Sequence, residues 1–171
     1  WPMKLDAQIR SLTTSGRAIQ ELLHGVTSEE ARWKQAPEKW SLLEVACHLL
    51  DEERDDFRRR IALTFEDPKQ TWPPIDPEGW ARDRKYNECD LRSVLVDFAR
   101  ERDLSVGWLG TLEHSDWTIA KAHPQAGELR TGDLLAAWVA HDLLHLRQLV
   151  NTRLAYVNAE VAPFSTRYAG A

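Results

Sequence analysis

Four segments of this chain place apolar residues at spacings of three, four or seven, which is the period of an α-helix that buries one face. The segments cover about residues 3–24, 41–64, 91–112 and 131–150. Helices of two dozen residues or fewer bury such faces by packing side by side. The pattern therefore predicts an all-α protein, an up-and-down four-helix bundle with a long loop between helices 2 and 3.

Polar residues mark where three of these helices begin. Ser41 and Glu44 form the sequence of a capping box, Ser-x-x-Glu, directly before an apolar run. Asp90 is the expected N-cap of the third helix, and Thr131 or Asp133 is the expected N-cap of the fourth. We expect the second helix to run unbroken through its predicted range.

The long loop, about residues 66–90, contains prolines among two tryptophans and a tyrosine. A segment of this length without a helical period is uncommon in a compact domain and is often functional. Alternatively, it is a crossover that its tryptophans hold against the end of the bundle. The sequence leaves both interpretations open.

The 171 residues fit a single domain. We assign residues 1–155 to the four-helix bundle and residues 156–171 to a C-terminal tail, because no clear period follows the fourth helix. No segment shows the alternation of polar and apolar residues that is typical of a half-buried strand.

The composition of the chain indicates which binding partners and which cellular compartment to expect. The chain has 22 basic and 27 acidic residues and a net charge of −5, which argues against nucleic acid or an anionic membrane as the main partner. No apolar run is long enough to span a membrane. Two cysteines, Cys47 and Cys89, do not make a disulfide framework, so we expect reduced thiols and a cytoplasmic protein.

Three histidines occupy helical positions where apolar residues are expected. His141 and His145 are four apart, so both imidazoles project from one face of the fourth helix, in line with apolar residues. His48 lies beside the apolar face of the second helix. Three nitrogens on two inward faces could bind one divalent metal and leave coordination positions open for water or substrate. Alternatively, each is an ordinary half-buried histidine that hydrogen-bonds to a carbonyl or a carboxylate.

Neighbouring polar residues have two interpretations each. Glu52 is either a fourth ligand or hydrogen-bond acceptor for His48, or a solvated acid in an acidic run. Gln148 follows His145 by one turn and either supports the site or makes an ordinary polar contact. Asp142 should point about 100° away from its neighbour around the helix. The remaining histidines we interpret as non-functional; they are His24, His114 and His123.

The two histidine segments together resemble those of a known family. The run Lys39-Trp40-Ser41-x-x-Glu44-x-x-x-His48-Leu49 is similar to the second-helix signature of the DinB/YfiT-like superfamily. The run His141-Asp142-Leu143-x-His145-Leu146-Arg147-Gln148 is similar to its fourth-helix signature, and the segment WARDRKY resembles the loop before helix 3. The resemblance extends over about residues 5–153. Both motifs in this order are far more specific than either motif alone.

This resemblance implies an up-and-down four-helix bundle that binds a divalent metal through His48, His141 and His145, and it implies frequent homodimers. Characterised members include thiol-dependent transferases and isomerases that use bacillithiol, mycothiol or glutathione. In some of them one ligand on helix 4 is a glutamate, whereas this chain has His141. The expected metal is zinc or nickel, with iron or manganese as alternatives, because a three-histidine site accepts all of them.

Two functional hypotheses follow. The first is a metal-dependent enzyme that acts on small molecules, a hydrolase or a transferase or isomerase that uses a low-molecular-weight thiol. Its metal would lie in a cleft lined by the Trp72–Tyr86 loop. The second is a non-catalytic metal-binding dimer for stress response or ligand sensing, with Trp108 and Trp117 at an interface or in the core. The sequence assigns no catalytic or substrate-binding residue.

Overall fold

The computed structural model describes residues 3–123 and 127–170. Residues 1, 2 and 124–126 of the predicted bundle and residue 171 of the predicted tail therefore lie outside the described part. Within the described ranges, seven α-helices and two strands follow one another: α1 (Leu5–Leu23), α2 (Ser28–Arg32), α3 (Leu42–Asp55), α4 (Phe57–Glu66), α5 (Pro77–Asp83), α6 (Leu91–Gly110), β1 (Ala120–His123), β2 (Gly127–Arg130) and α7 (Thr131–Glu160).

Four long helical units form a bundle, and they correspond to the four predicted helices. The first is α1, the second is α3 followed by α4, the third is α6 and the fourth is α7. Within the described residues, α1 packs mainly on α6 and α7, and α3 also packs on α6 and α7. The prediction of an all-α four-helix bundle is confirmed.

The second helix is not continuous, contrary to our expectation. Asp56 has φ −117° and ψ −98°, which lie outside the helical region, and it separates α3 from α4. No glycine or proline marks this position in the sequence. Asp56 is buried and its carboxylate pairs with Arg60 at 2.7 Å. The break therefore lies inside a charged run that looked like an ordinary exposed helix face.

Contacts between the helices fix their directions, and at one step these differ from the predicted up-and-down order. Arg54 and Arg58 of α3 and α4 bind Asp97 and Glu101 of α6 in the same chain order, so the second and third helices run in the same direction. The segment 67–90 has to return along the bundle to make this possible. It is a crossover, and it includes the short helix α5.

Aromatic residues of the crossover lie in the core. Trp72 is 9% exposed and donates from its indole N–H to Thr64, and Tyr86 donates to the carboxylate of Asp51. Trp117, which we considered for an interface, is also 9% exposed, and its ring packs edge-on against Phe65. The core explanation of these side chains is therefore the correct one.

A small antiparallel hairpin precedes α7, where we expected no strand. β1 pairs with β2 in the register Ala120↔Arg130 to His123↔Gly127. Each strand has four residues and neither has an alternating pattern strong enough to identify it. Gly127 has φ 73°, a conformation that glycine adopts without a steric penalty.

The last helix extends farther than its apolar pattern. α7 ends at Glu160, so the first residues of the predicted tail are helical, and a 3₁₀ turn follows at Arg167–Ala169. The division into a bundle and a tail stays a prediction. Of the helices in the described ranges, none combines the length and the apolar composition needed to cross a membrane.

Candidate metal centre

The three predicted histidines lie on the two helices that face each other across the bundle interior. His48 is in the second turn of α3, whose start is fixed by the confirmed capping box: Ser41 accepts from the backbone N–H of Glu44, and Glu44 accepts from that of Ser41. His141 and His145 lie on successive turns near the middle of α7. The two helices run antiparallel, which brings these positions level.

All three imidazoles converge through their Nε2 atoms. The Nε2 atom of His48 lies 3.2 Å from that of His141 and 3.2 Å from that of His145, and the latter two atoms are 3.1 Å apart. His48 is 5% exposed and the other two are half-buried. The three residues form a group that could hold a metal ion.

These separations match those of ligands on one metal ion. Histidine nitrogens bind zinc at about 2.0–2.1 Å, so two such ligands lie about 3.0 Å apart at octahedral angles and about 3.4 Å apart at tetrahedral angles. The observed values of 3.1 and 3.2 Å fall between these limits. Three Nε2 atoms at these distances are therefore spaced as three ligands of one divalent metal ion would be.

The imidazoles are neutral at pH 7. Burial, followed by the charges of His145 and His141, lowers the pKa of His48 to about 3. Burial and the charge of His145 lower the pKa of His141 to about 4, and burial also lowers the pKa of His145. A neutral imidazole keeps one nitrogen lone pair, which is the form that binds metals.

A second residue fixes which nitrogen of His145 is protonated. The Nδ1 atom of His145 lies 2.8 Å from Oε1 of Gln148. This oxygen can only accept, so Nδ1 carries the hydrogen and Nε2 presents its lone pair to the cluster. Metal-binding histidines usually have such a partner on the nitrogen that faces away from the metal. Of the two interpretations of Gln148, support of the site is the one that this geometry favours.

Glu52 is not a solvated acid. It is 4% exposed, and its Oε1 atom lies 3.6 Å from Nδ1 of His48. Both of these atoms are buried without a hydrogen-bond partner among the described residues. Burial, followed by the charge of Asp56, raises the pKa of Glu52 to about 9. Glu52 is outside the group of converging nitrogens. It therefore faces His48 from behind.

A buried ionic network holds the two histidine-bearing helices in place. Arg102 of α6 donates to Glu53 at 2.9 Å and to both carboxylate oxygens of Asp142 at 2.6 and 3.0 Å. It also donates to the backbone carbonyl of Leu12, and Ser15 of α1 donates to Asp142. All four helical units meet at this guanidinium. Asp142 thus points away from the histidines, as predicted, but into the core.

Sequence reasoning missed this network because its members look like surface charges. Glu53 is 1% exposed, Arg102 is 3% exposed and Asp142 is 1% exposed. The only signal in the sequence is that each has apolar neighbours at helical spacing, as Arg102 has in Phe98 and Leu109. Charged residues are almost never fully buried unless they are paired, and here each has its partners.

Aromatic rings surround the histidines. The ring of Phe57 stacks on Trp138 with centroids 5.7 Å apart, and it packs edge-on against His141 at 5.2 Å. The ring of Trp40 packs edge-on against His48 at 5.0 Å. These contacts restrict the imidazoles of His48 and His141 to the orientations in which their Nε2 atoms converge.

A cavity of about 390 Å³ adjoins the cluster. Trp40 and Gln148 are part of its lining, so one wall touches His48 and another touches His145. Its walls come from the segment before α3 and from α7. The predicted cleft wall, the Trp72–Tyr86 loop, does not contribute to it, because that loop packs against the core instead.

The fold has a close structural relative. YfiT from Bacillus subtilis, described as a probable metal-dependent hydrolase with an unusual four-helix bundle topology, is similar with a TM-score of 0.77 and 16% sequence identity. The match covers 89% of this chain and 90% of YfiT. At this identity the likeness shows the fold alone. A comparison with curated proteins gave no match.

The family follows from the sequence match. The model of the DinB superfamily matches residues 11–149, which include the second-helix and fourth-helix motifs and all three converging histidines. The predicted family resemblance is confirmed, and the chain belongs to the DinB superfamily.

Proposed function

We propose that this protein is a divalent-metal-dependent enzyme that acts on small molecules, with His48, His141 and His145 as the metal ligands. The convergence of three Nε2 atoms within 3.2 Å of one another is the observation that supports it most. A divalent cation between the three neutral imidazoles would accept a lone pair from every Nε2 atom at once.

A divalent metal held by three protein nitrogens keeps open positions for a substrate or a water molecule, and it lowers the pKa of what binds there. The residues of this chain supply the rest of the site. Gln148 orients His145, Glu52 lies behind His48, and Trp40 and Phe57 restrict the rings. The adjoining cavity has the size of small-molecule sites.

The reaction we propose is hydrolysis, or transfer or isomerisation with a low-molecular-weight thiol. YfiT, which shares the fold, is described as a probable metal-dependent hydrolase. Thiol-dependent chemistry is what the resemblance to DinB-like transferases implied. Zinc or nickel is the proposed metal, and iron or manganese is the alternative, since supply in the cell decides occupancy of such a site.

Metal content of purified protein tests the ligand assignment. We expect one metal ion per chain in the wild type and a loss of metal in His48→Ala, His141→Ala and His145→Ala. His114→Ala is the matched control, because this histidine is exposed and outside the cluster. If the three alanine variants keep the metal content of the wild type, the assignment is wrong.

An activity screen separates the enzyme from the non-catalytic alternative, a metal-binding dimer for stress response or ligand sensing. The metal-loaded protein would be assayed with ester and amide substrates, and with electrophiles plus bacillithiol, mycothiol or glutathione. Turnover that disappears in His145→Ala supports the enzyme. Retention of the metal with no turnover in any assay supports the alternative.

We also propose that the protein is a homodimer. A row of apolar side chains on α7 is exposed, with spacings that repeat every seven residues: Leu143, Val150, Leu154 and Val157 are 57%, 47%, 44% and 41% exposed. Rows of this kind mark helix–helix interfaces. The cytoplasm is the proposed location, because Cys47 and Cys89 are free thiols.

A further inference from the structure

The cavity beside the histidine cluster has an unusual charge. Lys39 and Arg147 both line it, and none of the described residues that line it is acidic. Both side chains are exposed, and in the described part of the chain neither lies within ion-pair distance of a carboxylate. Two like charges face one cavity without a counter-charge, in a protein whose net charge is −5.

Several basic residues inside the bundle are neutralised by carboxylates. Arg54 and Arg58 bind Glu101, Arg60 binds Asp56, and Arg102 binds Glu53 and Asp142. Lys39 and Arg147 have no such partner in the described residues, although both line the same cavity. An unpaired arginine beside an unpaired lysine is suited to a ligand that supplies the negative charge, since arginine presents a planar fork to carboxylates and phosphates.

The remaining lining indicates an organic ligand. Gln148 and Asn151 provide amide groups, and Trp40 and Leu144 provide apolar surface, with Leu144 52% exposed. Pockets for small molecules combine apolar walls with a few polar groups that fix the orientation of the ligand. A bare inorganic ion would leave the tryptophan and the leucine without a partner.

The position of the cavity connects it with the histidines. Gln148 lines the cavity and binds Nδ1 of His145, and Trp40 lines it and contacts His48. A ligand held by Lys39 and Arg147 would therefore lie within one side chain of the proposed metal ligands. This is where a group of the substrate that does not react would be bound.

We propose that Lys39 and Arg147 bind the anionic group, a carboxylate or a phosphate, of a small organic substrate whose reacting part reaches the histidine cluster. This proposal rests on the proposed metal-dependent function and specifies its substrate class. Both cations orient the substrate, and the amide groups and the apolar walls select against a ligand that is only charged.

Ligand binding to the zinc-loaded protein tests this. The probes are succinate, inorganic phosphate and neutral succinamide, followed by NMR of the Trp40 indole and the Gln148 and Asn151 side-chain amides. We expect succinate or phosphate to shift these resonances in a saturable way, and succinamide to have no effect. The anion that binds with the higher affinity identifies the anionic group of the substrate.

Variants assign the effect to the two cations. Lys39→Gln and Arg147→Gln should each weaken anion binding by about tenfold, the equivalent of one charge-assisted hydrogen bond, and the double variant should abolish it. Arg17→Gln on α1 is the matched control, because Arg17 is exposed and outside the cavity. Thermal unfolding confirms that each variant is folded.

The outcomes separate this proposal from the proposed function. Zinc content is measured on every sample, and we expect all four variants to retain it. Anion binding that persists in the double variant, as a direct bond to zinc would give, overturns the role of the two cations. Failure of the wild type to bind zinc overturns the metal assignment instead, and the same titration on that protein still tests the cavity.

Discussion

Asp142, which directly follows His141 in the sequence, receives two hydrogen bonds from Arg102 in the interior of the bundle, at 2.6 and 3.0 Å. The same guanidinium binds Glu53, which lies on α3, the helix that carries His48. One arginine on α6 therefore holds both helices that bring the histidines together. The spacing of the cluster depends on a residue that touches none of its members.

Substitution of this arginine should destabilise the fold and the site together. Arg102→Met leaves Glu53 and Asp142 buried without their partner, and removal of one member of a buried ion pair costs about 3–5 kcal/mol. We expect a reduction of that size in the free energy of unfolding, measured by urea denaturation. Arg92→Met on the exposed face of α6 is the control and should change it by less than about 0.5 kcal/mol.

Gln148 should affect metal affinity without affecting stability. Gln148→Leu removes the acceptor for Nδ1 of His145, and loss of such a partner lowers metal affinity by about 10–100-fold. Competition with a chromogenic chelator measures this. Gln148→Glu keeps an acceptor at the same position and should restore the affinity. Equal affinities of wild type and Gln148→Leu would show that the hydrogen bond does not orient the ligand.

The pair of Arg58 and Glu101 should make part of the stability depend on pH. Burial acts to raise the pKa of Glu101, but the hydrogen bonds and charges of Arg58 and Arg54 outweigh it, so the pKa lies below the ordinary value of 4.5. A carboxylate with a lowered pKa stabilises the fold above its unfolded-state pKa, and this stabilisation disappears as the pH falls through the folded-state pKa.

Glu101→Gln should therefore be less stable than the wild type at pH 7, by about 1 kcal/mol for a partly exposed charged hydrogen bond. The difference should diminish below pH 4.5. Urea denaturation at a series of pH values measures it, and Glu113→Gln, at an exposed position in the turn after α6, is the control. A difference that stays constant with pH would contradict the assignment.

The exposed row on α7 should determine the oligomeric state. Leu143→Glu combined with Leu154→Glu places charge on the apolar row, and we expect the dimer to dissociate into monomers. Light scattering after size-exclusion chromatography measures the mass. Leu104→Glu is the matched control, because Leu104 is 56% exposed on α6, away from the row. A wild type that is monomeric at every concentration tested refutes the proposed dimer.

Local chemistry was predictable from the sequence, whereas long-range pairing was not. The capping box of Ser41 and Glu44 and the shared face of His141 and His145 depend on spacings of three and four residues, and the structure has both. The convergence of His48 with them depends on how two helices pack. Spacing cannot determine that, and only the family resemblance implied it.

The sequence did not reveal features that interrupt the helical pattern without a glycine or a proline. The interruption at Asp56 occurs in a run of charges, and the hairpin at residues 120–130 has strands too short to show a period. Glu53 and Arg102 have the composition of a solvated face, yet the core encloses them because each neutralises the other. Such residues can be identified as buried only when their partners in space are known.

The order in which the helices pack has a consequence for how the chain folds. In the described residues the main neighbours of α1 are α6 and α7, which are far away in sequence, and α3 packs on the same two helices. Of the consecutive long helical units, only the second and third pack extensively on each other in the described residues, and they run in the same direction, so they cannot form a hairpin. Contacts between distant segments raise the contact order and slow folding. We expect this bundle to refold more slowly than helical bundles of its size in which neighbours along the chain are also neighbours in space.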